Sequence, residues 1–117
     1  MLDIKRMSES FDVERAAMLR EALGPARFDL VLRSMEQEMA TISLRIRDDI
    51  ARGDREDLAV AAHALKGIAA NLGAALLRDR ASALESAARN GGVIDGTSEL
   101  DAAIAVTAEA IARQRAA

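Results

Sequence analysis

Apolar residues in this chain recur at intervals of four and three, and they do so in four separate stretches. Phe28, Leu32, Met35, Met39, Ile42, Ile46 and Ile50 form the longest series. Leu58, Ala62, Leu65, Ala69 and Leu72 form the second, Leu77, Ala81, Leu84 and Ala88 the third, and Leu100, Ile104 and Ile111, with the hydroxyl-bearing Thr107 on the same face, the fourth. This interval keeps one side of an α-helix apolar. The period-two alternation that marks strands is missing, and the abundant alanine favours helix. Half of the 117 residues are apolar, but only Phe11 and Phe28 are aromatic, so the expected core is aliphatic. The expectation is one all-α domain over residues 1–117, an antiparallel up-down four-helix bundle with a short extra N-terminal helix.

Cap and break residues set the element boundaries. Asp12 caps a short helix to about Leu23, with Val13, Ala16, Ala17 and Leu23 at helical intervals, expected to sit on one end of the bundle. Gly24-Pro25 ends it and opens a long helix from about Pro25 to Arg52, about 40 Å at 1.5 Å per residue. Its methionines read as core packing, and Arg33, Glu36, Arg45, Arg47 and Asp48 form its outer face. Gly53 ends that helix, Asp54 caps the next, and Asp57 lies in the first turn, where the helix dipole favours an anion. Gly73 separates it from a helix over about Ala74–Asn90, which Asn90-Gly91-Gly92 stops. After a loop through Val93, Ile94, Asp95 and Gly96, Thr97 or Ser98 caps the last helix, with a polar, fraying tail expected from Arg113. Residues 1–11 read either as an extended strap or as a frayed helix start.

His63, the only histidine, lies in the second series but off its seam. At about 100° per residue it points roughly 140° from the seam centre, toward solvent. Its expected outward neighbours are small, Ala59, Gly67 and Ala70, with Lys66 on the flank. Glycine inside a helix costs about 1 kcal/mol relative to alanine, so Gly67 marks a bare surface one turn beyond the imidazole, suited to docking. The commonplace alternative is a structural surface histidine.

Many other chemistries are excluded. The absence of cysteine excludes a disulfide framework and thiolate metal sites, and with a single histidine a zinc site is not expected. No triad partner for His63 and no glycine-rich phosphate loop are found. A net charge of −3 and two aromatic residues argue against nucleic acid. No apolar run approaches the roughly 20 residues that span a bilayer, and Met1–Ser10 has no signal-peptide core. The expectation is a cytoplasmic protein without membrane contact.

A lone exposed imidazole can still act alone. It is mostly neutral near pH 7 and nucleophilic, with an ordinary pKa of about 6.5. It can accept a phosphoryl group and release it through a loose transition state that needs mainly positioning and charge neutralisation. Lys66 is placed to neutralise phosphoryl oxygens and to disfavour protonation of the ring.

His63-Ala64-Leu65-Lys66-Gly67, then Asn71-Leu72-Gly73-Ala74 and Leu84-Glu85, resembles the histidine-containing phosphotransfer (HPt) domain. The likeness runs from about Phe11 to the last helix and takes in the Gly24 break and Arg52-Gly53-Asp54. It implies a phosphorelay intermediate, accepting phosphoryl from one receiver-domain aspartate and passing it to another, without an ATP site or autokinase activity. His63 matches the phosphorylated position, with the outer nitrogen Nε2 implied as the acceptor, and Lys66 and Gly67 match its supporting residues. Glu85 falls where many members carry Gln or another polar residue; there a carboxylate either holds the imidazole or repels phosphate. Ala59, Ala70 and Glu85 are the expected docking surface, and Ile68 replaces a smaller residue at its rim. The implied partners are response-regulator receiver domains and a hybrid histidine kinase. No cofactor is expected on this chain, Mg²⁺ belonging to the receiver, and the expected state is a monomer. A second class of function is a non-catalytic adaptor or inhibitor that docks on a receiver or kinase.

Overall fold

The computed structural model describes residues 12–94 and 97–116, which form five α-helices and no strand. They are α1 (Val13–Leu23), α2 (Pro25–Arg52), α3 (Arg55–Leu72), α4 (Ala75–Asn90) and α5 (Thr97–Ala116). In sequence order α2, α3, α4 and α5 each pack on the next, and α5 closes the ring on α2. This is the expected all-α four-helix bundle with an extra N-terminal helix. The strap-or-helix choice for residues 1–11 lies outside the described residues.

The boundaries follow local chemistry. Asp12 caps α1, its carboxylate accepting from the Arg15 N–H at 3.0 Å. Asp54 caps α3 in the same way, accepting from the Asp57 N–H at 3.0 Å. Gly73 ends α3 in the left-handed region at φ +71°, its N–H donating to the Ala69 and Ala70 carbonyls. A Cβ there would also lie 2.5 Å from Asp12 Cβ, so α1 starts against the α3–α4 turn. The Asp12 N–H donates to the Leu72 carbonyl, and Arg15 reaches the Ala70 carbonyl at 3.3 Å. The short helix thus sits on one end of the bundle. Of its expected apolar series only Ala16 is buried, and Val13 and Ala17 are exposed.

Phe28, Leu32, Met39, Ile46, Leu58, Leu65, Leu77, Ala81, Leu100 and Ile111 are all buried in one apolar core. The expected α2 seam holds, with Met35, Ile42 and Ile50 half-buried against the core. Asp49, fully buried three residues beyond Ile46, joins it as a polar member that the apolar series omits. One expectation is corrected. The α5 tail does not fray at Arg113: helix continues to Ala116, and Arg115 pairs with Asp29 at 2.9 Å and Glu36 at 3.3 Å on α2.

Candidate functional site

Helix α3 is clasped by α2 on one side and α4 on the other, and α4 is its most extensive neighbour. Leu58, Ala59, Ala61, Ala62, Leu65, Ile68, Ala69 and Leu72 are buried, an arc of about half the helix circumference at 100° per residue. Val60, His63, Gly67, Ala70 and Asn71 occupy the open arc. The His63 side chain is 64% exposed. Ala59 was expected among the outward residues, but it is buried. It stands on the edge of an apolar stripe wider than a narrow seam, because two neighbours cover α3 rather than one. Ile68 is likewise buried and lines no rim. Ala70 and Gly67 face outward as expected, and a Cβ on Gly67 would meet nothing within 4 Å among the described residues.

The imidazole is held from one side. Its Nδ1 lies 3.0 Å from Glu85 Oε2 on α4. Glu85 is itself largely buried, so it lies beside and beneath the ring instead of forming part of an exposed docking surface. Lys66 Nζ donates to the other oxygen, Oε1, at 3.0 Å. Arg89, one turn along α4, donates twice to Oε2, from Nε at 3.1 Å and from a terminal nitrogen at 2.9 Å. The Lys66 hydrogen bond is the main reason that the Glu85 carboxyl is held down at about 2, against the opposing pull of burial; Arg89 and His63 add to it. Glu85 is therefore ionised across the neutral range and accepts only. The hydrogen at Nδ1 then belongs to the histidine, and in the neutral ring the lone pair lies on Nε2.

Arg89 escaped the sequence reading. The signal was Glu85 four residues ahead of it on one helix, the spacing at which opposite charges meet. Lys66, Arg89 and Glu85 together leave one positive charge beside a nucleophilic nitrogen, an arrangement that attracts a phosphoryl dianion. Among the described residues, no group of three or more His, Cys, Asp or Glu is placed to hold a metal ion.

The family model of the Hpt domain matches residues 30–117. The chain belongs to the Hpt domain family, whose members are phosphocarrier modules of two-component signalling. The match opens within α2 and takes in α3, α4 and α5, and so includes every residue of the His63 cluster. No curated protein and no solved structure matches the chain. Among the described residues, no helix is long and apolar enough to cross a membrane.

Proposed function

We propose that this chain relays a phosphoryl group between receiver-domain aspartates by way of a phosphohistidine at His63. The observation that carries the reading is the open imidazole whose Nδ1 is engaged by Glu85, so that its other nitrogen presents a lone pair to solvent. Nε2 attacks the phosphorus of an aspartyl phosphate, the P–O bond breaks, and the carboxylate departs with the electron pair. A second receiver carboxylate reverses the step. The transition state is loose and needs alignment and positive charge more than a general base. Lys66 and Arg89 supply that charge. Gly67 and Ala70 leave the approach to the ring uncovered, so the partner can bring its own aspartate and Mg²⁺ against it.

On this reading the chain is a single module that acts without a cofactor, an ATP site or autokinase activity. Its partners are response-regulator receiver domains, including the receiver of a hybrid histidine kinase, and it works as a monomer in the cytoplasm. The test is transfer from a panel of phosphorylated receiver domains to the purified chain. Wild type gains an acid-labile, base-stable phosphoryl group, while His63→Gln keeps the helical circular dichroism spectrum and gains none. Labelling that persists in His63→Gln overturns the reading. Receiver binding without any transfer, unchanged in His63→Ala, is the result an adaptor would give.

A further inference from the structure

The His63–Glu85 contact has a consequence for the phosphorylated form of the site. We propose that Glu85 keeps the proton on Nδ1 after phosphorylation, so that the chain carries its phosphoryl group as a phosphoimidazolium. This rests on His63 being the carrier. Attack through the Nε2 lone pair leaves Nδ1–H untouched, and the immediate product is a ring with both nitrogens substituted and one positive charge. Free in water, such a ring tends to lose its proton. Here the proton faces an ionised carboxylate at 3.0 Å, and an opposite charge at that distance favours the charged form.

The other charged groups facing the ring bear on the balance. Lys66 on α3 and Arg89 on α4 both oppose a cationic ring, but each is already paired with Glu85. Before phosphorylation, Lys66, Arg89 and Glu85 sum to one positive charge. A phosphoryl dianion on Nε2 turns that into one negative charge, and the retained proton brings the site to neutrality. The incoming oxygens also compete for Lys66, whose side chain is one-third exposed, and so free Glu85 for the ring.

Retention of the proton matters for release. When the acceptor carboxylate forms its P–O bond, the P–N bond breaks and the electron pair returns to Nε2. With Nδ1 protonated, the leaving group is a neutral imidazole. Without that proton it is an imidazolate anion, a far poorer leaving group. Because the proton stays on Nδ1 through both half-reactions, the relay needs neither a general base nor a general acid. Glu85 acts as a positioning residue whose charge, beyond its shape, keeps the phosphoryl group transferable.

The sole histidine makes the measurement direct, because a single imidazole contributes the ring nitrogen signals. The purified ¹⁵N-labelled chain is phosphorylated with phosphoramidate, and the Nδ1 shift of the phosphorylated ring is followed against pH. Glu85→Gln keeps the size and the acceptor oxygen but removes the charge. The deprotonation midpoint of wild type is expected about one pH unit or more above that of Glu85→Gln, within the range an adjacent opposite charge produces. Above that midpoint, phosphoryl transfer to a receiver slows in the variant first. Equal midpoints overturn the proposal. Should Glu85→Gln not fold, the phosphorylated wild type is titrated native and in urea, and a native midpoint no higher than the denatured one overturns it as well. Failure of phosphoramidate to label His63 while it labels free imidazole strikes the carrier reading itself, a different result from either.

Discussion

At Gly67 intrinsic stability and partner access pull in opposite directions. The residue is helical and exposed, and nothing among the described residues requires glycine there. Alanine at such a position stabilises a helix by about 1 kcal/mol. Gly67→Ala is expected to raise the urea midpoint while lowering the rate of phosphoryl transfer from a receiver, and Gly67→Gln to lower that rate further. An unchanged rate in both variants would show that no partner closes on this turn. Most of the site was legible at this scale: His63, Lys66 and Gly67 sit where helical periodicity put them. Ala59 was misplaced because a 4,3 seam describes contact with one neighbour, and α3 has two. The position of Glu85 beneath the ring was not legible, because it depends on the rotation of α4 against α3, which no local pattern encodes.

The turn between α3 and α4 shows what joins one element to the next. Gly73 combines a left-handed backbone with a close approach by Asp12, so two independent penalties meet in one residue. An L-residue in the left-handed region costs about 1–2 kcal/mol, and here its Cβ would also collide with Asp12 Cβ at 2.5 Å. Gly73→Ala is expected to lower stability in urea denaturation by more than the backbone cost alone. Because Asp12 also caps α1, the collision is read against Asp12→Gly alone: in that background Gly73→Ala is expected to cost only the backbone part, and an undiminished cost would show that α1 does not rest on this turn. Element limits were readable because caps and stops are local: Asp54, Gly53, Gly73 and Gly91 lie at helix ends. The α2 seam was legible through Ile50, which packs half-buried against the core, but the burial of Asp49 was not, because a charged residue at a core interval gives no apolar signal. Arg113 to Ala116 looked like a polar tail because the partners of Arg115 lie far away in sequence, on α2.

Across the whole molecule the carboxylates respond to pH in two opposing ways, and Asp49 stands apart. Arg115 holds Asp29 below its ordinary value, Arg45 does the same for Asp57, and Lys66 for Glu85. Each stabilises the fold above the ordinary carboxyl range and loses that contribution as pH falls through its lowered value. Asp49 has the reverse sign. Burial first, and then the facing Asp57 carboxylate, push its carboxyl up. One of its oxygens accepts from Arg52 at 3.0 Å, and the other is buried without a hydrogen-bond partner among the described residues if the group is ionised. A proton on that second oxygen lets it donate to Asp57, whose own oxygens are held by the Arg45 fork at 2.8 and 2.5 Å. The native state then keeps a proton that the unfolded chain has released above about pH 3.9. Stability from Asp49 is complete below that pH and is lost as pH rises through the raised native value. Asp49→Asn reproduces the protonated shape, with an oxygen for Arg52 and an N–H for Asp57, but does not titrate. The stability difference between the Asp49→Asn variant and wild type, from urea denaturation at a series of pH values, is therefore expected to shift in favour of the variant as pH rises from about 4, then to level off. Because α2 and the first turn of α3 meet at this pair, the same titration reports on the joint that orients the His63 helix. A difference that stays flat with pH would mean that Asp49 titrates like an ordinary carboxyl and that the buried oxygen is satisfied in another way.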